Sequence, residues 1–561
     1  MSALNGKKEE NMKRVKKNFM SRVLAVCLML VMTVSMSMGA TAAPLSENAT
    51  DNITISGIET TPEGAGLGTV NAYQVIKVNV SGNQPQVPAY TWSDGVAKWV
   101  SVNFRSYIDV KNSNAVTDAF LDLPDDSSQL KDFVDRLANA IRYEEDGNTA
   151  ISLTPTEIPL AGKKIQEDNE GRKYITAEFG LGAYLFLVEG GVRIYSPGFA
   201  AVYPTTDEKS GNWITAGHTI KVDLKSSEPA IDKTVSDYTY AIGQTVTYTL
   251  EVDVPDYPDN AVDKKFIIAD YLSEGLTLDP ESIEIYNYSG DEAHPTGTVI
   301  TDRFVDYSFS DQQNNPAEGL TPSFAKSFDY ENNNSSILAD KVIVQYNATV
   351  NENAVVMASE DTDNKLDNKV YLIYNNNPYT EDGYREIPDE ERVYTYALQV
   401  VKTGEEGDSM EGAEFTLKLS NSGENLQFVM TGAGEYRRPL PAETSGLTET
   451  LVTNGSGVIS IEGLDLGDYI LTETKAPAGY ELPADPVTEI TLADDNGADG
   501  KPDGILNDDE DGTYEQPVVN TKPGFLPKTG GIGTAVFTVC GILLMAGAVV
   551  LLVTVSRRKK H

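Results

Sequence analysis

Residues 245–254 read TVTYTLEVDV, placing Val246, Tyr248, Leu250, Val252 and Val254 on one face of an extended chain and Thr245, Thr247, Thr249, Glu251 and Asp253 on the other. Strict alternation of this kind, built from β-branched and aromatic residues, is the signature of a strand with one face on a core and one in water. Shorter segments repeat the pattern on both sides, at 231–235, 266–272 and 368–372, with turn residues between them. Many short alternating strands separated by turn signals imply an antiparallel β-sandwich, and we place such a unit at residues 227–376. The polar stretch from Asn375 to Glu391, rich in Asn, Pro, Asp and Glu, reads as a linker, taken as 377–392. A second sandwich of the same immunoglobulin-like type is expected over 393–522. Residues 43–226 also read mainly as strand, with one helix inserted: Leu130, Phe133, Val134, Leu137 and Ile141 fall at helical spacing behind Ser127 and Ser128, a ready cap. The expected fold class is mainly β, two tandem sandwiches after a mixed N-terminal unit.

Six polar residues interrupt the apolar faces of these strands. Lys233 stands between Ile231 and Val235, Asp270 follows Phe266 and Ile268, and Asn368 precedes Val370 and Leu372. The later sandwich repeats the set: Lys402 after Leu398 and Val400, Glu473 after Tyr469 and Leu471, Asn520 after Val518. Period-two geometry points each of them inward. One such lysine reads most simply as a strand-edge residue whose head reaches water, but two ordered sets of Lys, acid and Asn ask for a common cause. Burial strips the proton from an unpaired ammonium and keeps it on a carboxyl. A neutral amine is a nucleophile, and a protonated acid beside it can polarise the asparagine carbonyl and pass protons to departing ammonia. The product is an amide cross-link between Lys and Asn, with Asp270 and Glu473 as assisting acids.

Composition narrows the classes of function. The chain of 561 residues carries a net charge of −40. Excluding residues 1–42 and 530–561 leaves 33 basic against 82 acidic residues, a charge of −49. Such a surface repels nucleic acid. The two cysteines, Cys27 and Cys540, both lie in apolar terminal segments, so the exported part has no disulfide to stiffen it. His218 and His294 are the only histidines between those segments and show no metal-ligand spacing. No nucleophile motif accompanies them, so enzyme action is not expected and no cofactor is implied. Asp495, Asp499, Gly500 and Asp503 partly follow a calcium loop, but Gly497 and Leu506 stand where oxygen ligands belong. An acidic, solvated hairpin insertion fits residues 494–512 better, and no metal site is assigned.

The ends state where the chain goes. Lys13, Arg14, Lys16, Lys17 and Arg22 precede an apolar run from Val23 to Met38 and the small-x-small triplet Ala40, Thr41, Ala42, the pattern of a secretory signal at 1–42. At 523–561, Leu526, Pro527, Lys528, Thr529 and Gly530 are followed by an apolar stretch long enough to span a bilayer and by Arg557, Arg558, Lys559 and Lys560. This ordered trio resembles the sorting signal of LPXTG wall-anchored proteins. The resemblance implies a transiently membrane-held precursor whose Thr529–Gly530 bond a sortase cleaves, passing the Thr529 carbonyl to an amine, with peptidoglycan as the final attachment.

Two further resemblances bear on the middle of the chain. Tyr469, Leu471, Glu473, Thr474, Ala476, Pro477, Gly479 and Tyr480 fit the pattern Y-x-L-x-E-T-x-A-P-x-G-Y at every fixed position. This is similar to Cna protein B-type domains of Gram-positive surface proteins, in which that Glu assists a Lys–Asn isopeptide bond. Residues 227–376 resemble the fimbrial isopeptide-forming domain, with Asp270 in place of the acid. Together they imply the shaft subunit of a sortase-assembled pilus, partnered by other pilin subunits. In that family a lysine near the end of the first domain, often in Tyr-Pro-Lys, accepts the next subunit. Lys225 matches by its offset, although Asp223 and Leu224 replace the Tyr-Pro, and Lys221 remains the alternative. A minor pilin or an individually anchored adhesin with a host surface ligand would share the anchor and the stalk.

Overall fold

The computed structural model describes residues 45–522, apart from 125–126, 143–150, 207–211, 216–219, 259–260, 310–313, 360–361, 378–382, 495, 498–499 and 507–510, together with residue 545. The signal segment, His218, Asp495, Asp499, the pentapeptide Leu526–Gly530 and the apolar stretch after it lie outside the described residues, except Met545 within that stretch.

The N-terminal unit folds around one long strand. Thr69–Ser81 lies at the centre of a sheet whose neighbours include Gly182–Glu189, Gln84–Trp92 and Thr156–Pro159. Because side chains alternate across a strand, this sheet serves two cores. Leu185 and Leu187 face Trp92, Phe133, Val134 and Leu137 on one side, while Phe186 and Val188 face Ile53, Ile55, Ile175 and Val222 on the other. The expected helix spans Ser128–Arg142, and the Ser127 hydroxyl accepts from the Leu130 amide at 3.3 Å. A second helix, Asp94–Asn103, covers the same face and was not expected. It buries only Val96, Ala97 and Val100, too few periodic positions to stand out from its polar residues. Across the second core, Ile220–Asp223 runs parallel to Thr50–Ser56.

The middle unit is a sandwich of two five-stranded sheets. One contains Ile231–Val235, Thr245–Asp253, Lys341–Val350 and Leu276–Tyr288; the other contains Phe324–Phe328, Phe266–Leu272, Asp367–Tyr374 and Arg385–Arg392. Val246, Tyr248, Leu250 and Val252 are fully buried against Phe266, Ile268, Val370 and Leu372. Each fully buried aliphatic side chain of this kind stabilises by about 1.5–3 kcal/mol.

The expected linker is corrected here. Arg385–Arg392 is an edge strand that pairs antiparallel with Asp367–Tyr374 along its whole length. Its charges and Pro388 are what an edge strand uses against further pairing, so polar composition concealed a strand. The chain then passes directly into the last unit, with Tyr394 bonded to both sides of Thr239: its amide donates to Tyr238 O and its carbonyl accepts from the Tyr240 amide.

The C-terminal sandwich pairs a six-stranded and a four-stranded sheet. Its first strand, Tyr396–Gly404, and its last, Thr513–Asn520, are parallel neighbours, with Lys402 opposite Val518 and Gly404 opposite Asn520. The opposing sheet supplies Gly467–Lys475 between Glu414–Leu419 and Val487–Leu492. The insertion after Asp494 is less solvated than its composition suggests. Asp494 is buried and accepts from Tyr396 Oη at 2.6 Å and from the amides of Asn496, Asp503 and Gly504. The insertion also reaches the middle sandwich: the Gly512 amide donates to Met357 O, and Lys501 bonds Glu391 at 3.1 Å and lies 4.5 Å from the Tyr238 ring. Among the described residues no group of His, Cys, Asp or Glu has the arrangement of a metal site.

Candidate functional site

The inward-pointing polar residues meet in two places, one in each sandwich. In the middle sandwich Lys233 comes from the edge strand of one sheet, while Asp270 and Asn368 come from adjacent antiparallel strands of the other. Leu272 pairs with Asn368 and Asp270 with Val370, so the acid and the amide stand two residues apart on the same inner face. The Lys233 and Asp270 side chains are completely excluded from solvent, with Nζ 2.6 Å from Oδ2. Asn368 is likewise fully buried.

A fourth residue joins them. Tyr346, on the Lys341–Val350 strand, donates to Asp270 Oδ2 at 2.7 Å and accepts from Lys233 Nζ at 2.9 Å and from Asn368 Nδ2 at 2.8 Å. Its ring stacks on Tyr248 at 5.4 Å, and both rings flank the Lys233 ammonium. Sequence reading passed over Tyr346 because it sits in the apolar register of Val342, Val344 and Ala348, where an aromatic looks like core. The available signal was its hydroxyl, since a buried tyrosine OH needs a polar partner.

In the C-terminal sandwich the division is different. Lys402 and Asn520 belong to the neighbouring parallel strands of one sheet, and Glu473 crosses from the other. Glu473 Oε1 accepts directly from Asn520 Nδ2 at 2.7 Å. Lys402 Nζ donates to Val518 O at 3.3 Å and lies 4.0 Å from Glu473 Oε2, with both side chains shielded from water.

Burial dominates the electrostatics of both clusters. Desolvation pushes Lys233 and Lys402 below the ordinary lysine range and Asp270 and Glu473 above the ordinary carboxyl range, outweighing the attraction within each pair. Both shifts favour the neutral amine and the protonated acid. Each cluster also holds buried oxygens without a hydrogen-bond partner: Asp270 Oδ1 and Asn368 Oδ1 in one, Glu473 Oε2 and Asn520 Oδ1 in the other. Unpaired buried polar atoms cost about 1–3 kcal/mol each, so both clusters carry a desolvation cost within an otherwise apolar core.

The remaining candidates are placed as follows. Lys221 is exposed on the Ile220–Asp223 strand, and Lys225 is half-buried just beyond it, where its carbonyl accepts from the Ser196 amide.

Residues 397–501 match the family of prealbumin-like fold domains, and residues 518–561 match the LPXTG cell wall anchor motif. The chain is 26% identical over 464 residues to the trypsin-resistant surface T6 protein of Streptococcus pyogenes serotype M6, covering 68% of this chain and 79% of that protein. It is 25% identical over 408 residues to fimbrial subunit type 1 of Actinomyces viscosus, covering 65% and 70%. The solved structure of the T6 backbone pilin, described as a modular three-domain protein with variable loops and extensions, superposes with a TM-score of 0.52 at 19% identity over 86% of this chain and all of that one. That likeness shows a shared fold. The anchor match places the protein at the cell surface, held in the cell wall.

Proposed function

We propose that this chain is the backbone subunit of a wall-anchored pilus, polymerised by a sortase through Thr529 and stiffened by two self-formed amide bonds, Lys233–Asn368 and Lys402–Asn520. The observation that carries the stiffening is the pair of sealed Lys/acid/Asn clusters in a chain without a cysteine between its terminal segments. In each, the neutral amine attacks the Asn carboxamide carbon, a C–N bond forms, and ammonia leaves with a proton supplied through the acid. Each bond turns the buried lysine amine and the asparagine carboxamide into one neutral secondary amide and leaves the acid in place, so the desolvation cost of a buried lysine disappears.

Polymerisation follows from the two ends of the molecule. Transfer of the Thr529 carbonyl to a lysine at the end of the N-terminal unit links head to tail, and a heterologous contact of that kind propagates as an open fibre. Lys225 is the assigned acceptor, with the exposed Lys221 as the alternative. The relatives named as surface and fimbrial proteins support the reading. A blot of wall extracts tests it. The wild type gives a high-mass ladder, and Lys225→Arg, which keeps the charge but removes the acylable amine, leaves only wall-anchored monomer. Loss of the ladder in Lys221→Arg instead moves the acceptor, and a ladder surviving in both variants overturns this segment's role.

A further inference from the structure

We propose that Tyr346 is a catalytic proton relay for the bond in the middle sandwich, carrying to the leaving nitrogen of Asn368 a proton that Asp270 cannot deliver itself. The inference rests on the Lys233–Asn368 cross-link proposed above. Asp270 reaches Asn368 through no direct hydrogen bond: its Oδ1 has no partner, and its Oδ2 is taken by Lys233 and Tyr346. The hydroxyl of Tyr346 touches all three groups, at 2.7 Å from Asp270 Oδ2, 2.9 Å from Lys233 Nζ and 2.8 Å from Asn368 Nδ2. The leaving nitrogen is therefore in contact with the phenol and not with the acid.

The protons balance along this chain. Lys233 first gives its extra proton to Asp270 across the 2.6 Å contact, leaving a neutral amine and a carboxylic acid. Attack of Nζ on the Asn368 carbonyl carbon forms the new C–N bond and moves the carbonyl electron pair onto Oδ1. As the pair returns and the bond to Nδ2 breaks, the Tyr346 hydroxyl protonates Nδ2. Asp270 reprotonates the tyrosine oxygen, and the proton lost from the attacking nitrogen restores the acid. Amine and carboxamide become a secondary amide and ammonia, tyrosine ends as it began, and Asp270 ends holding the proton it first took from Lys233. Burial and the neighbouring Asp270 charge raise the Tyr346 hydroxyl well above its usual range, so the two proton transfers run in concert and no free phenolate forms. In the C-terminal sandwich Glu473 touches the amide directly at 2.7 Å, and among the described residues no tyrosine is placed between them.

Tyr346→Phe keeps the ring that stacks on Tyr248 and removes the hydroxyl with its contacts to Asp270, Lys233 and Asn368. The full-length chain, made by cell-free translation and sampled over time, is digested and the two cross-linked peptides are quantified by mass spectrometry. The Lys402–Asn520 bond serves as an internal clock for folding. The expected result is a Lys233–Asn368 bond that forms about a hundredfold more slowly, while Lys402–Asn520 forms at the wild-type rate. Equal rates for the Lys233 bond in wild type and Tyr346→Phe overturn the relay and leave the cross-link intact. Absence of that bond from the wild type overturns the cross-link itself. If the phenylalanine variant misfolds, a fluorinated tyrosine at position 346, with a more acidic phenol and the same shape, replaces it. A changed rate supports the relay, and an unchanged rate contradicts it.

Discussion

The two sandwiches hold the same three functional groups in opposite arrangements. In the middle one, lysine faces asparagine across the core, so the amide would stitch one sheet to the other. In the C-terminal one, lysine and asparagine are on adjacent parallel strands, so the amide would rivet the first strand of the unit to the last, and only the acid comes from across the core. On the proposed reading, the reaction would ask for a buried amine, acid and amide held close together, whichever sheet supplies each. The difference also has a mechanical side. Pulling on a tandem of sandwiches loads the terminal strands first; the proposed C-terminal rivet would join those strands directly, whereas the middle one would resist separation of the layers.

Removing the acids would test the comparison with the largest expected effects. Asp270→Ala abolishes the middle bond, forfeiting a tie over more than a hundred residues worth about 5 kcal/mol by analogy with a disulfide. It also takes from Lys233 its carboxylate at 2.6 Å, adding about 3 kcal/mol. Glu473→Ala removes a comparable tie, but Lys402 loses only a contact at 4.0 Å and keeps its bond to Val518 O, so the total stays near 5 kcal/mol. By calorimetry Glu473→Ala should lower the melting transition of its own sandwich by about 10–20 °C, and Asp270→Ala by about 15–30 °C. Equal transitions for either variant and the wild type would break the corresponding cross-link, and a larger loss in Glu473→Ala would reverse the ranking.

How much of this was legible in the sequence follows from the same contrast. The six candidate residues stood out because a polar side chain at an inward position of a period-two strand violates the pattern around it, as Lys233 does between Ile231 and Val235. Tyr346 violates nothing, and its role depends on where its hydroxyl lands, which only the packing of two sheets determines. Strand partners were hidden for a related reason. Alternation says which face is buried but not which neighbour runs alongside, so the parallel pairing of Tyr396–Gly404 with Thr513–Asn520 could not be read. The Arg385–Arg392 strand was hidden by its edge position, where charge is protective. The acidic insertion was read as solvated because composition does not reveal that Asp494 is enclosed by backbone amides and the Tyr396 hydroxyl.

The smallest expected effect lies where the two sandwiches meet. Lys501→Ala deletes an ion pair to Glu391 in which the lysine is 43% exposed, together with the contact over Tyr238. Partly exposed pairs of this kind contribute about 1 kcal/mol or less, so both melting transitions should stay within a few degrees of wild type. A collapse of either transition would show that the sandwiches depend on each other for stability and do not owe it mainly to their own internal ties.

The most direct test of those ties is the intact mass of the denatured full-length chain. Two bonds expel two molecules of ammonia, so the mass should fall about 34 Da below that of the sequence, with digestion yielding one peptide pair joined through Lys233 and Asn368 and another through Lys402 and Asn520. A mass equal to that of the sequence, with all four residues recovered in unlinked peptides, would contradict the cross-links in both sandwiches.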